Sequence, residues 1–297
     1  MSIDSSSLDA LVDANELETL RLSSSGRCVT VQLHRPKRRN AVNSAMVREL
    51  RNVFCALDAQ SKRNIVVIRG AGGHFCAGGD IQDMSSVGGS DADEGEPPSD
   101  FPNDPVARHN RQFGHLLEQI AHSSCVVVAV LEGTVLGGGF GLACVSDIAI
   151  TLANSKFGMP ETSLGIPPAQ IAPFVVQRVG LTHARSLALT ARRFDGTVAH
   201  QLGVATHLCD DTNALATTLE EVLGQICRCA PGASAVTKQL MIGSARRPLA
   251  DMLDEGARRF SEAIAGTEAM EGFTAFISKS KPPWAVSNDN ADGGGSK

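Results

Sequence analysis

Tyrosine is absent from this sequence, tryptophan occurs once (Trp284), and aromatic residues make up only 4% of it. Single-stranded nucleic acids are usually gripped by rows of stacked aromatics, so this composition argues against such a binder. Positive charge is not in excess either: 27 Lys and Arg stand against 32 Asp and Glu, a formal net charge of −5. A nucleic-acid surface needs a basic face that this balance does not supply. No apolar run approaches the ~20 residues of a membrane-spanning helix. The acidic, Ser-rich stretch Met1 to Ser25 lacks the basic start and apolar middle of a secretory signal, so the expected location is the cytoplasm. The eight cysteines (28, 55, 76, 125, 144, 209, 227 and 229) show no paired CxxC spacing, and most lie in apolar stretches. They read as small buried hydrophobes, not as disulfide partners or metal ligands.

What is present suits an α/β protein. Hydrophobic residues are 42% and charged residues 20% of 297, enough to bury a real core. Cys28 to Leu33 is a β-branched strand, and Ser44 to Leu57 carries apolar residues at helical spacing. Ile65 to Ile68 is apolar at every position, as in a strand covered on both faces. The alternation continues with a helix at 106–122, a strand at 126–131, a helix after the glycines near 138 and a strand at 148–152. Residues 1–25 read as an N-terminal extension, 26–210 as the core, 211–284 as a helical C-terminal region and 285–297 as a disordered tail. Within the core, 85–105 is acidic and rich in Gly and Pro, and reads as a mobile surface loop.

Three segments carry chemistry. Phe75-Cys-Ala-Gly-Gly-Asp80-Ile81 follows a strand and a Gly-rich turn, and Glu132-Gly-Thr-Val-Leu-Gly-Gly-Gly139-Phe-Gly141 follows a strand and opens a helix. Glycine lets backbone approach a ligand closely and leaves N–H groups free to point at it. Two such turns facing each other would offer two donors to one oxygen that gains negative charge. Taken singly, each cluster also fits ordinary turn chemistry, and a nucleotide loop is a further rival for the second. In the third segment, Phe157-Gly-Met-Pro160-Glu161-Thr-Ser-Leu-Gly165, a single carboxylate lies in an uncharged stretch.

Together these segments resemble the crotonase superfamily, the enoyl-CoA hydratases and isomerases, over roughly His34 to Trp284. His34-Arg-Pro-Lys-Arg-Arg-Asn40, Ser146-Asp147 and Lys281-Pro-Pro-Trp284 add to the likeness. The resemblance implies a spiral of ββα turns with a helical C-terminal part that builds homotrimers, often paired into hexamers. It implies an acyl-CoA thioester as ligand, with coenzyme A part of the substrate, and no separate cofactor or metal. By the same resemblance, the peptide N–H groups of Gly79 and Gly138 form an oxyanion hole and Glu161 is the acid/base. Ala77, Gly78, Asp80 and Ile81 would line the coenzyme A path, with Arg35 and Lys281 as cations for its phosphates. Gly141, Phe140, Pro160 and Gln170 are expected to line the acyl pocket, with Gln170 a candidate for holding water or the substrate carboxylate.

Two-base hydratases of this family carry a second Glu at the position of Gly141, and dienoyl isomerases and aryl dehalogenases an Asp at the position of Ala169. One carboxylate is therefore missing. The stretches Gly137 to Asp147 and Pro168 to Phe174 look like the branch that hydrates branched glutaconyl-CoA thioesters, the isohexenylglutaconyl-CoA and methylglutaconyl-CoA hydratases. Such substrates bring their own carboxylate, and a small residue at 141 is expected to avoid repulsion and leave room for it. An isomerase using Glu161 alone and a non-catalytic acyl-CoA binder are the alternatives.

Overall fold

The computed structural model describes residues 8–14, 17–86, 101 and 103–285. Helix α1 (Leu8–Ala14) precedes β1 (Leu20–Ser25), β2 (Cys28–Leu33), α2 (Ser44–Asp58), β3 (Ile65–Gly70), α3 (Ile81–Ser86) and α4 (Pro105–His122). Then come β4 (Val126–Leu131), β5 (Thr134–Leu136), α5 (Gly138–Val145), β6 (Ile148–Leu152) and β7 (Lys156–Gly158). Next are α6 (Ala172–Thr190), β8 (Arg193–Asp195), α7 (Gly196–Gln201) and β9 (His207–Cys209). Four helices follow: α8 (Thr212–Cys227), α9 (Pro231–Ser244), α10 (Leu249–Ile264) and α11 (Thr267–Ile277).

Six strands form one sheet in the order β1-β2-β3-β4-β6-β9, parallel except for the β1–β2 hairpin. Its central strands are apolar throughout because both faces are covered. Val66, Ile68, Val127 and Ala129 join the core formed with α2, α4 and α5, while Ile65, Val67, Val128 and Val130 pack with Leu215, Val222 and Ile226 of α8. A second sheet, β5-β7-β8, stands at the carboxyl end of the first and carries two of the three motifs. The loops leaving β2, β3 and β4 also emerge there, where ligands bind in open α/β sheets.

Residues 20–25 are a correction to the expected extension. They pair with β2 along its whole length, Leu20 opposite Leu33 and Ser25 opposite Cys28. Glu49 of α2 anchors the strand's start, accepting from the amides of Glu18 (2.7 Å) and Thr19 (3.0 Å). The expected mobile loop and tail fall almost entirely outside the described residues. Of that loop, Asp104 caps α4 by accepting from the amide of Ala107 (2.9 Å). Four cysteines are buried as expected (76, 125, 144, 209), and burial pushes the Cys76 and Cys144 thiols up to about 12. Cys55 and Cys229, however, are exposed, Cys55 on the outer face of α2 and Cys229 in the bend that follows residue 227.

The C-terminal helices attach at the opposite end of the sheet from the motifs. Lys238 of α9 pairs with Asp147 (2.8 Å), and Arg27, just before β2, donates to the carbonyls of Cys227 (3.1 Å) and Trp284 (3.0 Å). Several large apolar side chains of α10 and α11 are exposed, Leu249 by 75% and Phe276 by 85%. Among the described residues no helix is long and apolar enough to cross a membrane.

Asn40 ties the loops that position the site. It is fully buried with φ of 57°, in the left-handed region that Asn tolerates better than most residues. Its side chain donates to the carbonyls of Ala71 (2.9 Å) and His74 (2.7 Å) and accepts from the amide of Arg35 (2.9 Å). Asn40→Ala strands these buried groups, and a loss of ~3 kcal/mol or more is expected. A denaturation midpoint that reports less than about 1 kcal/mol would contradict this account.

Candidate active site

The segment after β3 runs beside β5: Phe75 and Cys76 donate to the carbonyls of Glu132 (2.8 Å) and Thr134 (2.9 Å). On its other side Val42 makes both bonds of a parallel bridge to Gly79, donating to Gly78 (2.8 Å) and accepting from Asp80 (2.8 Å). In that geometry the amide of Gly79 itself faces away from Val42. It has no acceptor among the described residues, and Gly79 is exposed. Gly138 opens α5, where the first helical N–H has no intrahelical partner. A Cβ built on Gly138 would lie 3.8 Å from the nitrogen of Gly79 and 3.2 Å from the ring of Phe113 on α4. The two turns therefore meet at Gly79 and Gly138, with the ring of Phe113 against Gly138.

Gly137 brings the third motif in. Its φ of 49° and ψ of −118° suit glycine only, and a Cβ there would sit 2.8 Å from Oε1 of Glu161. Glu161 begins a short 3-10 turn (Glu161–Leu164) just after β7, whose Phe157 is locked in a cluster with Phe140 and Phe194. Oε2 of Glu161 is buried and has no hydrogen-bond partner among the described residues. Desolvation pushes this carboxyl above the usual range, opposed only by its own backbone amide. Phe157 and Met159, shortly before Glu161 in the chain, are buried, while Leu164 on the same turn is 58% exposed.

The remaining expected residues divide. Ala77, Gly78 and Ile81 lie along the same edge, with Ile81 exposed. Arg35 and Asp80 pair with each other (2.9 Å), and Arg35 also donates to the carbonyl of Ala41 (2.5 Å). The guanidinium beside Asp80 holds its carboxyl below the usual range against the opposing effect of burial. These two residues secure the turn, and the guanidinium expected to meet the coenzyme A phosphates is engaged by Asp80 and the carbonyl of Ala41. The exposed cations next to Ala77–Gly79 are Lys37, Arg38 and Arg39, of which the carbonyl of Arg39 accepts from Ala77 (2.9 Å). Lys281 is exposed and lies three residues before Trp284, at the amino end of the strands. Its own chain does not bring it to the site.

Two pocket expectations fail for one reason, that the space is already filled. Phe140 is fully buried, edge-on to Phe157 and Phe194, and faces the core. Gly141 leaves no room beside it: a Cβ there would meet Cγ2 of Ile171 at 2.4 Å. Pro160 borders the site as the residue before Glu161, and Gln170 reaches α4, where its Nε2 donates to Oδ1 of Asn110 (2.7 Å). Gly141→Glu should therefore destabilise by ~1–3 kcal/mol instead of adding a second working carboxylate. Adding Ile171→Ala should recover part of the loss, and a Gly141→Glu protein that melts like wild type would overturn this.

The fold is that of the crotonases, α/β with a helical C-terminal region. The family profile described as enoyl-CoA hydratase/isomerase matches residues 24–287, and the chain belongs to that family. The structure of Pseudomonas aeruginosa AtuE is similar to it at 50% identity with a TM-score of 0.85, covering 91% of this chain and 100% of that one. An enoyl-CoA hydratase/isomerase from Marinobacter aquaeolei is similar at 46% identity and the same TM-score, 0.85, with the same 91% and 100% coverage. The short-chain-enoyl-CoA hydratase of Clostridium acetobutylicum is 30% identical over 272 residues, 90% of this chain and 97% of that protein.

Proposed function

We propose that this enzyme adds water to the conjugated double bond of an enoyl-CoA thioester, and that its substrate class is the branched glutaconyl-CoAs, isohexenylglutaconyl- or methylglutaconyl-CoA. The thioester oxygen accepts from the amides of Gly79 and Gly138. Glu161 takes a proton from water as the water oxygen bonds to the β-carbon, and the π electrons move to the thioester oxygen as an enolate. The proton then passes to the α-carbon, restoring the carbonyl. The observation that carries this reading is the buried Oε2 of Glu161 close to the amides of Gly79 and Gly138, none of the three having a partner among the described residues.

The glutaconyl part rests on the likeness of residues 137–147 and 168–174 to that branch. It is also supported by the apolar Ile171 standing over Gly141, where two-base relatives hold a charge that would repel a substrate carboxylate. Coenzyme A enters as part of the substrate, with its phosphates toward Lys37, Arg38 and Arg39. A contact from Lys281 would come from another copy, and the exposed apolar side chains of α10 and α11 support a homotrimer or hexamer. Proton transfer between two carbons by Glu161 alone, an isomerase, is the second reading, favoured by the missing second carboxylate.

Crotonyl-CoA, 3-methylglutaconyl-CoA and a 3-enoyl-CoA, each mixed with purified protein, separate these readings by the absorbance of the conjugated thioester. Loss from the first two marks a hydratase, and faster loss from 3-methylglutaconyl-CoA supports the substrate class. Appearance of conjugation from the 3-enoyl substrate alone marks an isomerase. No change with any of them would leave binding only.

A further inference from the structure

A water molecule fixed for attack needs at least two polar partners. Glu161 offers one, and the place of a second carboxylate is closed by Ile171 over Gly141. The residue before Ile171 is Gln170, whose amide lies against α4 with Nε2 donating to Oδ1 of Asn110 (2.7 Å). Among the described residues neither Oε1 of Gln170 nor Nδ2 of Asn110 has a partner, and both residues are half-buried. The pair thus keeps one acceptor and one donor. Asn110 stands one helical turn before Phe113 and Gly114, and Phe113 is the residue that covers Gly138. Gly114 explains how the amide fits: a Cβ at this position would lie 2.0 Å from Oε1 of Gln170 and 2.6 Å from Nη1 of Arg111, which shares the slot. Glycine inside a helix is unfavourable, yet here it opens the slot that Gln170 occupies.

We infer that Gln170, seated by Gly114 and held by Asn110, is the second polar partner of the water that adds to the double bond. This rests on the hydratase reading above. One hydrogen of the water goes to Oε2 of Glu161 and is transferred, while the other is held by Oε1 of Gln170 and stays on the product hydroxyl. With both hydrogens fixed, an oxygen lone pair is aimed at the β-carbon. Gln170 exchanges no proton, and Asn110 is a positioning residue that acts through it.

The test begins with wild-type hydration in the absorbance assay. Gln170→Met keeps length and removes the amide. It should lower kcat roughly 100-fold, with KM for the thioester and the melting temperature close to wild type. Gly114→Ala should hold or raise the melting temperature through helix propensity while lowering kcat, because its methyl expels the amide. Gln170→Glu should add a second ionisation to the pH profile of kcat that wild type lacks. If wild type hydrates and both Gln170→Met and Gly114→Ala retain its kcat, the inference fails alone. A wild type that hydrates no enoyl-CoA takes the hydratase reading down with it.

Discussion

Glu161→Gln is expected to lower kcat roughly 10³-fold while leaving thioester binding nearly intact. Glutamine keeps the shape of the side chain but cannot accept a proton. The loss should be large because, among the described residues, position 141 is glycine and Oε2 of Glu161 is buried without a partner beside the turn that carries Gly137 and Gly138. A variant within about tenfold of wild type would mean that another base does the work, and the mechanism would have to be redrawn.

The same substitution carries a second signature of opposite sign. Desolvation raises the Glu161 carboxyl, so folding disfavours its ionised form. Stability from the protonated group is complete below the unfolded-state value, near ~4, and is lost as pH rises through the higher folded value. Glutamine is neutral at every pH and escapes that loss. Glu161→Gln should therefore melt above wild type at neutral pH, with the difference vanishing near pH ~4. The activity runs the other way: the base must be ionised, so the acid limb of kcat/KM should lie above the ordinary glutamate range. Equal melting temperatures at neutral pH would show that the native carboxylate is better solvated than its surroundings indicate.

The residues of the proposed oxyanion site were legible because backbone chemistry leaves a mark in sequence. Gly78-Gly79 and Gly137-Gly138-Gly139 are needed where main chain approaches main chain, and Glu161 stands alone in an uncharged run. The central strands were legible for a similar reason, since burial on both faces writes an unbroken apolar run such as Ile65 to Ile68. Strand β1 was not, because an edge strand ending in three serines carries no alternation, and only Gly26, with φ of 53°, marks its hairpin. Strands β5, β7, β8 and β9 are three residues each, too short for any period to show. Side-chain roles were the least legible. Arg35 looks like a ligand cation until Asp80 is found 2.9 Å away, and nothing near Asn110 announces Gln170, sixty positions on. Such pairs are set by how α4 lies across α5 and the loop before α6.

The second donor proposed for the thioester oxygen can be removed where the helix tolerates it. Gly138 is the first residue of α5, a position at which proline is favoured, since its N–H has no intrahelical partner to lose. Gly138→Pro therefore deletes the amide with little demand on the helix, apart from the ring of Phe113, which must yield by a few tenths of an ångström. Losing one such donor costs ~2.7–4 kcal/mol of barrier, so kcat should fall about 10²- to 10³-fold. Gly138→Ala supplies the control: it makes the same contact with Phe113 but keeps the N–H, and should retain most activity. The gap between the two variants, read as kcat, is the contribution of that single amide. Equal losses would mean that crowding by Phe113 sets the effect, and Gly138 would then lose its place as a donor.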